Sequence, residues 1–154
     1  MENSLYQLIQ RRRHGIPAGI VSFCTAHPLV LEACMEQTLQ YGGDLLIEAT
    51  ANQVNQFGGY TGMCPADFRD LVFSIADTLD FPKNRIILGG DHLGPLVWKD
   101  LPEPDAMANA VELVRTFVSA GYQKIHLDTS MRLADDPLDA PLTDETIARR
   151  GALL

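Results

Sequence analysis

Asp91 and His92 stand side by side, directly after the run Ile86-Ile87-Leu88-Gly89-Gly90. A carboxylate next to an imidazole is a common pair for holding a metal or moving a proton. The apolar run predicts a short buried strand. The two glycines predict a close backbone approach, because glycine has no side chain to keep a ligand away. Gly94-Pro95 then turns the chain. In α/β proteins, sites lie at the carboxyl ends of parallel strands, which is where Asp91-His92 falls. Two readings follow. In the first, His92 ligates zinc or another divalent metal and Asp91 is a general acid or base. In the second, both side chains orient the loop before Gly94-Pro95. One histidine is insufficient for the first, since a catalytic metal site takes about three protein ligands.

Other polar groups end the neighbouring apolar runs. Glu48 lies one residue from the tip of a strand predicted over 44–49, where it can ligate a metal, bond a sugar hydroxyl or pair with a nearby cation. Asn52, Gln53, Asn55 and Gln56 follow in a long, glycine-punctuated loop. Their uncharged donors and acceptors suit polyol hydroxyls, and a solvated loop is the plainer reading. Asp128, Thr129 and Ser130 end a strand predicted over 124–128. Period-two alternation puts His126 on the face of Asp128, as a ligand or equally as a core histidine. His27, after the first strand, is a candidate substrate contact. His14 and Arg11 to Arg13 read as surface.

The elements that position these groups alternate along the chain. A short helix over 4–14 carries Leu5, Leu8 and Ile9 on one side and stops at Gly15-Ile16-Pro17. A first strand is predicted over 18–24, with Ser22 and Cys24 on one face. Helices follow at Pro28–Tyr41 (Leu31, Cys34, Met35, Leu39 inward), at 65–79 (Phe68, Leu71, Val72, Ile75) and at 105–120 (Met107, Ala110, Val111, Val114, Val118). A last helix opens at Thr143, capped by Thr143 or Asp144. Such alternation implies a parallel sheet with right-handed crossovers, either doubly wound or a (β/α)8 TIM barrel. Polar groups at every strand tip, and no G-x-G-x-x-G after the first strand, favour the barrel. Residues 1–154 are expected to be the N-terminal half of one barrel domain, its first four β/α units. The chain stops at Gly151-Ala152-Leu153-Leu154 within an amphipathic pattern, so truncation is expected, with outer strand edges open to self-association.

Composition narrows the function. Of 154 residues, 46% are apolar and 21% charged, as in ordinary globular proteins. No apolar run approaches the ~20 residues of a membrane span. The basic stretch before Arg13 has no apolar segment behind it, so a secretory signal is not expected and the cytoplasm is. Twelve basic against 20 acidic residues leave a net charge of −8, which argues against nucleic-acid and anionic-membrane partners. A sugar phosphate stays compatible, because one or two local cations or a helix N-terminus can hold a phosphate. Cys24, Cys34 and Cys64 form no CxxC or zinc spacing and are expected as reduced thiols.

Four stretches together resemble a known family: SFCTAHPLVLEA (22–33), LLIEATANQVNQFGGYTGMCPADF (45–68), ILGGDHLGP (87–95) and KIHLDTSM (124–131). They are similar to the accessory, non-catalytic subunits of class II D-tagatose-1,6-bisphosphate aldolase (GatZ/KbaZ-like). These subunits belong to galactitol and N-acetylgalactosamine catabolism, and some members carry a tagatose-6-phosphate kinase label. The resemblance implies a (β/α)8 barrel longer than this chain. It also implies a catalytic class II aldolase subunit as partner, whose stability and activity the accessory subunit supports in D-tagatose 6-phosphate breakdown. In the catalytic relatives an Asp-His pair ends strand three, the Asp acting as acid and the His binding zinc. Asp91 and His92 match those two positions. Asp128-Thr129-Ser130 is similar to their Asp-Gly-Ser, but Thr129 departs from the glycine and weakens a phosphate-cradling role. The kinase label finds no support, since no Walker-type loop is present. The alternative from another class is a metal-dependent sugar or sugar-phosphate aldolase or epimerase using Asp91 and His92. On the accessory reading the pair is a vestigial or secondary site, and this chain alone is expected to be inactive.

Overall fold

The alternating pattern becomes a four-stranded parallel sheet with helices packed on it, in a computed structural model that describes residues 4–154. The elements are α1 (Ser4–Arg13), β1 (Ser22–Cys24), α2 (Pro28–Tyr41), β2 (Leu45–Thr50), α3 (Pro65–Thr78), β3 (Ile86–Leu93), α4 (Glu103–Ser119), β4 (Lys124–Leu127) and α5 (Asp144–Gly151). Strands pair in the order β1-β2-β3-β4, all parallel. Each right-handed crossover advances one strand in the same direction, so α2, α3 and α4 fall on one face of the sheet. Accordingly α2 packs on α3, and α3 on α4. A doubly wound sheet reverses its strand order part-way, and this one does not. The sheet is an arc of a (β/α)8 barrel.

Alternation along the strands separates a dry face from a polar one. Leu45, Ile47 and Ala49 of β2 and Ile86 and Leu88 of β3 pack with Leu31, Met35, Phe68, Val72, Leu113 and Phe117 beneath the helices. The intervening residues, among them Glu48 and Gly89, face the barrel interior.

Several elements differ from expectation. Only Ser22–Cys24 of the predicted 18–24 strand pairs with β2, so β1 is short. The β3 ladder does not stop at the glycines but runs through Asp91 and His92 to Leu93. The buried stripe of α4 is Ala106, Met107, Ala110, Leu113 and Phe117, while Val118 is 55% exposed. Phe117 turns the helix this way by packing edge-on against Tyr122 (4.6 Å) and lying over Gly90, where a Cβ would come 3.1 Å from its ring. Leu39 of α2 is likewise exposed, the inward stripe there being Leu31, Cys34 and Met35.

The segment between β4 and α5 is tied down by Arg150, which is fully buried. Its Nε and Nη2 donate to Glu103 Oε2 (3.0 and 2.7 Å), and Nη1 and Nη2 donate to the two Asp136 carboxylate oxygens (2.9 and 2.7 Å). Nη1 also donates to the Met131 carbonyl at 3.3 Å, so all of the guanidinium's N–H groups are used. Thr143 caps α5, its hydroxyl accepting from the Thr146 N–H at 3.2 Å.

Candidate functional site

An irregularity in the β3–β4 pairing builds the site. Gly90 pairs with Ile125, and the next pair is Leu93 with Leu127. Two residues, Asp91 and His92, therefore stand opposite one, His126. This is a β-bulge, and His92 takes the left-handed conformation (φ +50°) within it. In an unbroken strand, adjacent side chains project to opposite faces. Here both converge on His126. His126 Nδ1 lies 3.0 Å from Asp91 Oδ1, and His92 Nδ1 lies 3.2 Å from the same oxygen. The two imidazole rings are 4.2 Å apart between centroids. One ligand atom from each of the three residues falls within 4.8 Å of the others.

A second layer supports this cluster from one turn of the pleat below. Glu48 of β2 is in register with Gly89 of β3, and Gly89 with Lys124 of β4. The Lys124 ammonium contacts Glu48 Oε1 across the glycine, and the Ser22 hydroxyl donates to Glu48 Oε2. Glu48 is only 3% exposed; Oε2 accepts the Ser22 hydrogen bond, and Oε1 has the Lys124 ion pair in place of a hydrogen bond. Lys124 Nζ also lies 3.6 Å from Asp91 Oδ1. The two glycines thus do a different job from the one expected. A Cβ on Gly89 would lie 2.6 Å from Glu48 Oε1, and one on Gly90 would lie 2.5 Å from Leu93 Cδ1. Their space is taken by the protein's own side chains, not held open for a ligand.

The electrostatics follow from these contacts. Partial burial pushes the Asp91 carboxyl up. Hydrogen bonds from His126 and His92, with the charge of Lys124, outweigh that and hold it at about 2. At neutral pH Asp91 is a carboxylate suited to ligate a cation, and, held this low, a weak proton acceptor. Asp128 is also held low: desolvation opposes this, but Ser130 donates to its Oδ1 through both hydroxyl (2.6 Å) and N–H (2.9 Å), with His92 and His126 nearby. Cys24, at the tip of β1, is raised to about 11 by desolvation, then by Asp91 and Glu48, so it stays a thiol and a poor nucleophile.

The remaining candidates divide by what they touch. Gln53 Oε1 accepts from the Thr50 N–H at 2.8 Å and lies 3.7 Å from Cys24 Sγ, which places it beside the cluster's rim. The Asn52 side chain is exposed, and its carbonyl accepts from the Tyr60 N–H. Asn55 and Gln56 hold the loop: Asn55 is buried and bonds Ala51, Phe57 and Gly59, and Gln56 Nε2 donates to the Asn109 carbonyl. His27 is the exposed residue preceding α2 and caps it without a side-chain bond. Thr129 is turned away from the interior, donating to the Ile147 carbonyl at 2.8 Å. Lys124 is the residue that sequence reasoning left out of the site, and His126 is the one it left open between ligand and core histidine. The alternation of Lys124, His126 and Asp128 on one face was their only signal.

Two imidazoles and a carboxylate are a donor set suited to zinc and to other first-row divalent metals. Ligand atoms sharing one tetrahedral zinc at about 2.0–2.1 Å lie roughly 3.3 Å apart. The two imidazole–carboxylate separations of 3.0 and 3.2 Å approach that spacing, and all three ligand atoms lie within 4.8 Å of one another. The side chains of His92 and His126 are 54% and 44% exposed, so solutes reach them.

A family model described as D-tagatose-1,6-bisphosphate aldolase subunit GatZ/KbaZ-like matches residues 5–154. The chain belongs to this family. Among curated relatives, the D-tagatose-1,6-bisphosphate aldolase subunit GatZ of Salmonella gallinarum (strain 287/91) is 55% identical over 148 residues. The match covers 96% of this chain and 34% of the relative. The GatZ subunit of Salmonella dublin matches to the same extent. The chain therefore spans about a third of the length of these relatives. A crystal structure described as a probable tagatose 6 phosphate kinase from Sinorhizobium meliloti 1021 superimposes with a TM-score of 0.83 at 53% identity, over 87% of this chain and 34% of that one. Among the described residues, no helix is long and apolar enough to cross a membrane.

Proposed function

We propose that this chain contributes the first β/α units of an accessory subunit of D-tagatose-1,6-bisphosphate aldolase, which binds the catalytic class II subunit and supports its stability and activity in cytoplasmic D-tagatose 6-phosphate breakdown. The observation that carries the reading is the family match along residues 5–154. The strand tips are compatible with it. Thr129 spends its hydroxyl on the scaffold, and Asp128 and Ser130 bond each other, so this strand tip offers little to a phosphate. The test is co-expression of the protein, affinity-tagged, with a catalytic tagatose-bisphosphate aldolase subunit. Recovery of both chains in a defined ratio supports the proposal, and recovery of the tagged chain alone contradicts it.

A second reading is favoured by one specific observation, the convergence of Asp91, His92 and His126. On this reading the cluster holds zinc or another divalent ion in a sugar or sugar-phosphate aldolase or epimerase. The ion when bound supplies Lewis-acid polarisation of a carbonyl oxygen. The chain's own contribution is positional: the bulge brings both imidazoles to one carboxylate, and Asp91, ionised at neutral pH, would ligate the ion. Gln53 stands beside the rim, and the exposed Asn52 side chain follows in the same loop, both with donors and acceptors suited to sugar hydroxyls. Metal analysis by mass spectrometry separates the readings. Stoichiometric zinc that disappears in His92→Ala favours the second; no metal in either protein leaves the pair as inherited architecture.

A further inference from the structure

We infer that Lys124 is the resident cation of this site and that its ammonium weakens divalent-metal binding at Asp91, His92 and His126. The inference rests on reading that cluster as a metal-binding group. Lys124 stands one layer below the cluster, with its Nζ against Glu48 Oε1 and 3.6 Å from Asp91 Oδ1. That oxygen is the one both imidazoles approach, at 3.0 and 3.2 Å, and so the one a shared ion would draw on. A metal there would sit a few ångströms from a fixed positive charge and would compete with it for the same carboxylate.

The charge is held in place from the opposite side. Glu48 is buried, fastened by the Ser22 hydroxyl and kept in reach of Lys124 by the absent side chain at Gly89. An exposed lysine would swing away from an arriving cation at little cost. Lys124 cannot do so without leaving the buried Glu48 carboxylate with no countercharge. Four strands thus cooperate to keep an ammonium beside the ligand set: Ser22 from β1, Glu48 from β2, Gly89 from β3 and Lys124 itself from β4. At separations of this size a unit charge changes the affinity for a divalent ion by well over tenfold, even in a strongly screening medium.

The test is titration of the protein with cobalt(II), read by its visible ligand-field absorption, and with zinc by competition against a chelating dye. Lys124→Met should tighten both ions by about tenfold or more, and Lys124→Arg, which keeps the charge, should not. Because Lys124→Met also uncovers the Glu48 carboxylate, the Glu48→Gln/Lys124→Met double variant, uncharged at both positions, is measured alongside and should tighten less than the single variant but still beyond wild type. His92→Ala should abolish binding in every background. If wild type and Lys124→Met bind one ion equally, and His92→Ala loses it, the metal group stands and the inference falls. Tightening in Lys124→Met with none in the double variant would assign the gain to the uncovered Glu48 carboxylate and overturn Lys124 as the opposing charge. If no variant binds either ion, the metal reading fails and the inference with it.

Discussion

Glu48 and Lys124, on strands two apart in the sheet, touch each other because the strand between them presents Gly89 at their common register. Neither residue would reach the other over a side chain. The pair in turn places the ammonium beside Asp91, so a glycine in the middle strand governs the electrostatics of the cluster above it.

Gly89→Ala should therefore act through Glu48. Its Cβ would meet Glu48 Oε1 at 2.6 Å and Cγ at 2.8 Å, and the carboxylate must leave Lys124 to make room. We expect a loss of about 1–3 kcal/mol in urea unfolding. In a Glu48→Ala background the same substitution should cost much less, giving a clear coupling term in a double-mutant cycle. Additive costs would contradict the contact.

Gly94 makes a different demand. Its backbone is extended, so no unusual conformation requires glycine, yet a Cβ there would stand 1.8 Å from the Asp128 carbonyl oxygen. Backbone cannot swing aside as a glutamate can. Gly94→Ala should cost about 3 kcal/mol or more, seen as a large drop in the urea midpoint or in soluble yield. A variant as stable as wild type would show that β3 and β4 do not approach as described.

Much of the fold was legible because it depends on local pattern. Apolar strands, amphipathic helices and polar strand tips predict the barrel arc, and residue type narrows the α5 cap to Thr143 or Asp144, of which Thr143 is the one used. The bulge was not legible. Whether Asp91 and His92 share one partner depends on how β4 registers against them, and no periodicity within 86–93 carries that. For the same reason His126 stayed ambiguous. Gly89-Gly90 was visible as a close approach, but which atoms approach was not, since Glu48 lies 41 residues earlier on another strand. Arg150 was invisible, its carboxylate partners lying 14 and 47 residues away.

Acid should find the Arg150 network. Hydrogen bonding to Arg149, then to Arg150, lowers the Glu103 carboxyl to about 2 against a desolvation that opposes it; Arg150 likewise lowers Asp136. For groups depressed in the folded state, the stabilisation is present above the unfolded values of 4.5 and 3.8 and is lost as pH falls toward the folded ones. The urea midpoint should decline between about pH 4.5 and 2. Arg150→Met should be destabilised by about 3 kcal/mol at neutral pH, because Asp136 loses its cation while Glu103 keeps Arg149, and should show a shallower decline. A parallel pH curve in the variant would remove Arg150 as the cause.

The central claim is that the protein works by supporting a catalytic partner. The direct measurement is the initial rate of D-tagatose 1,6-bisphosphate cleavage by the catalytic subunit alone, by this protein alone and by the two together, before and after mild heating. The account predicts no cleavage by this protein alone and a several-fold higher, longer-lived rate in the mixture. Cleavage by this protein alone, abolished in His92→Ala, with no change on mixing, would contradict it.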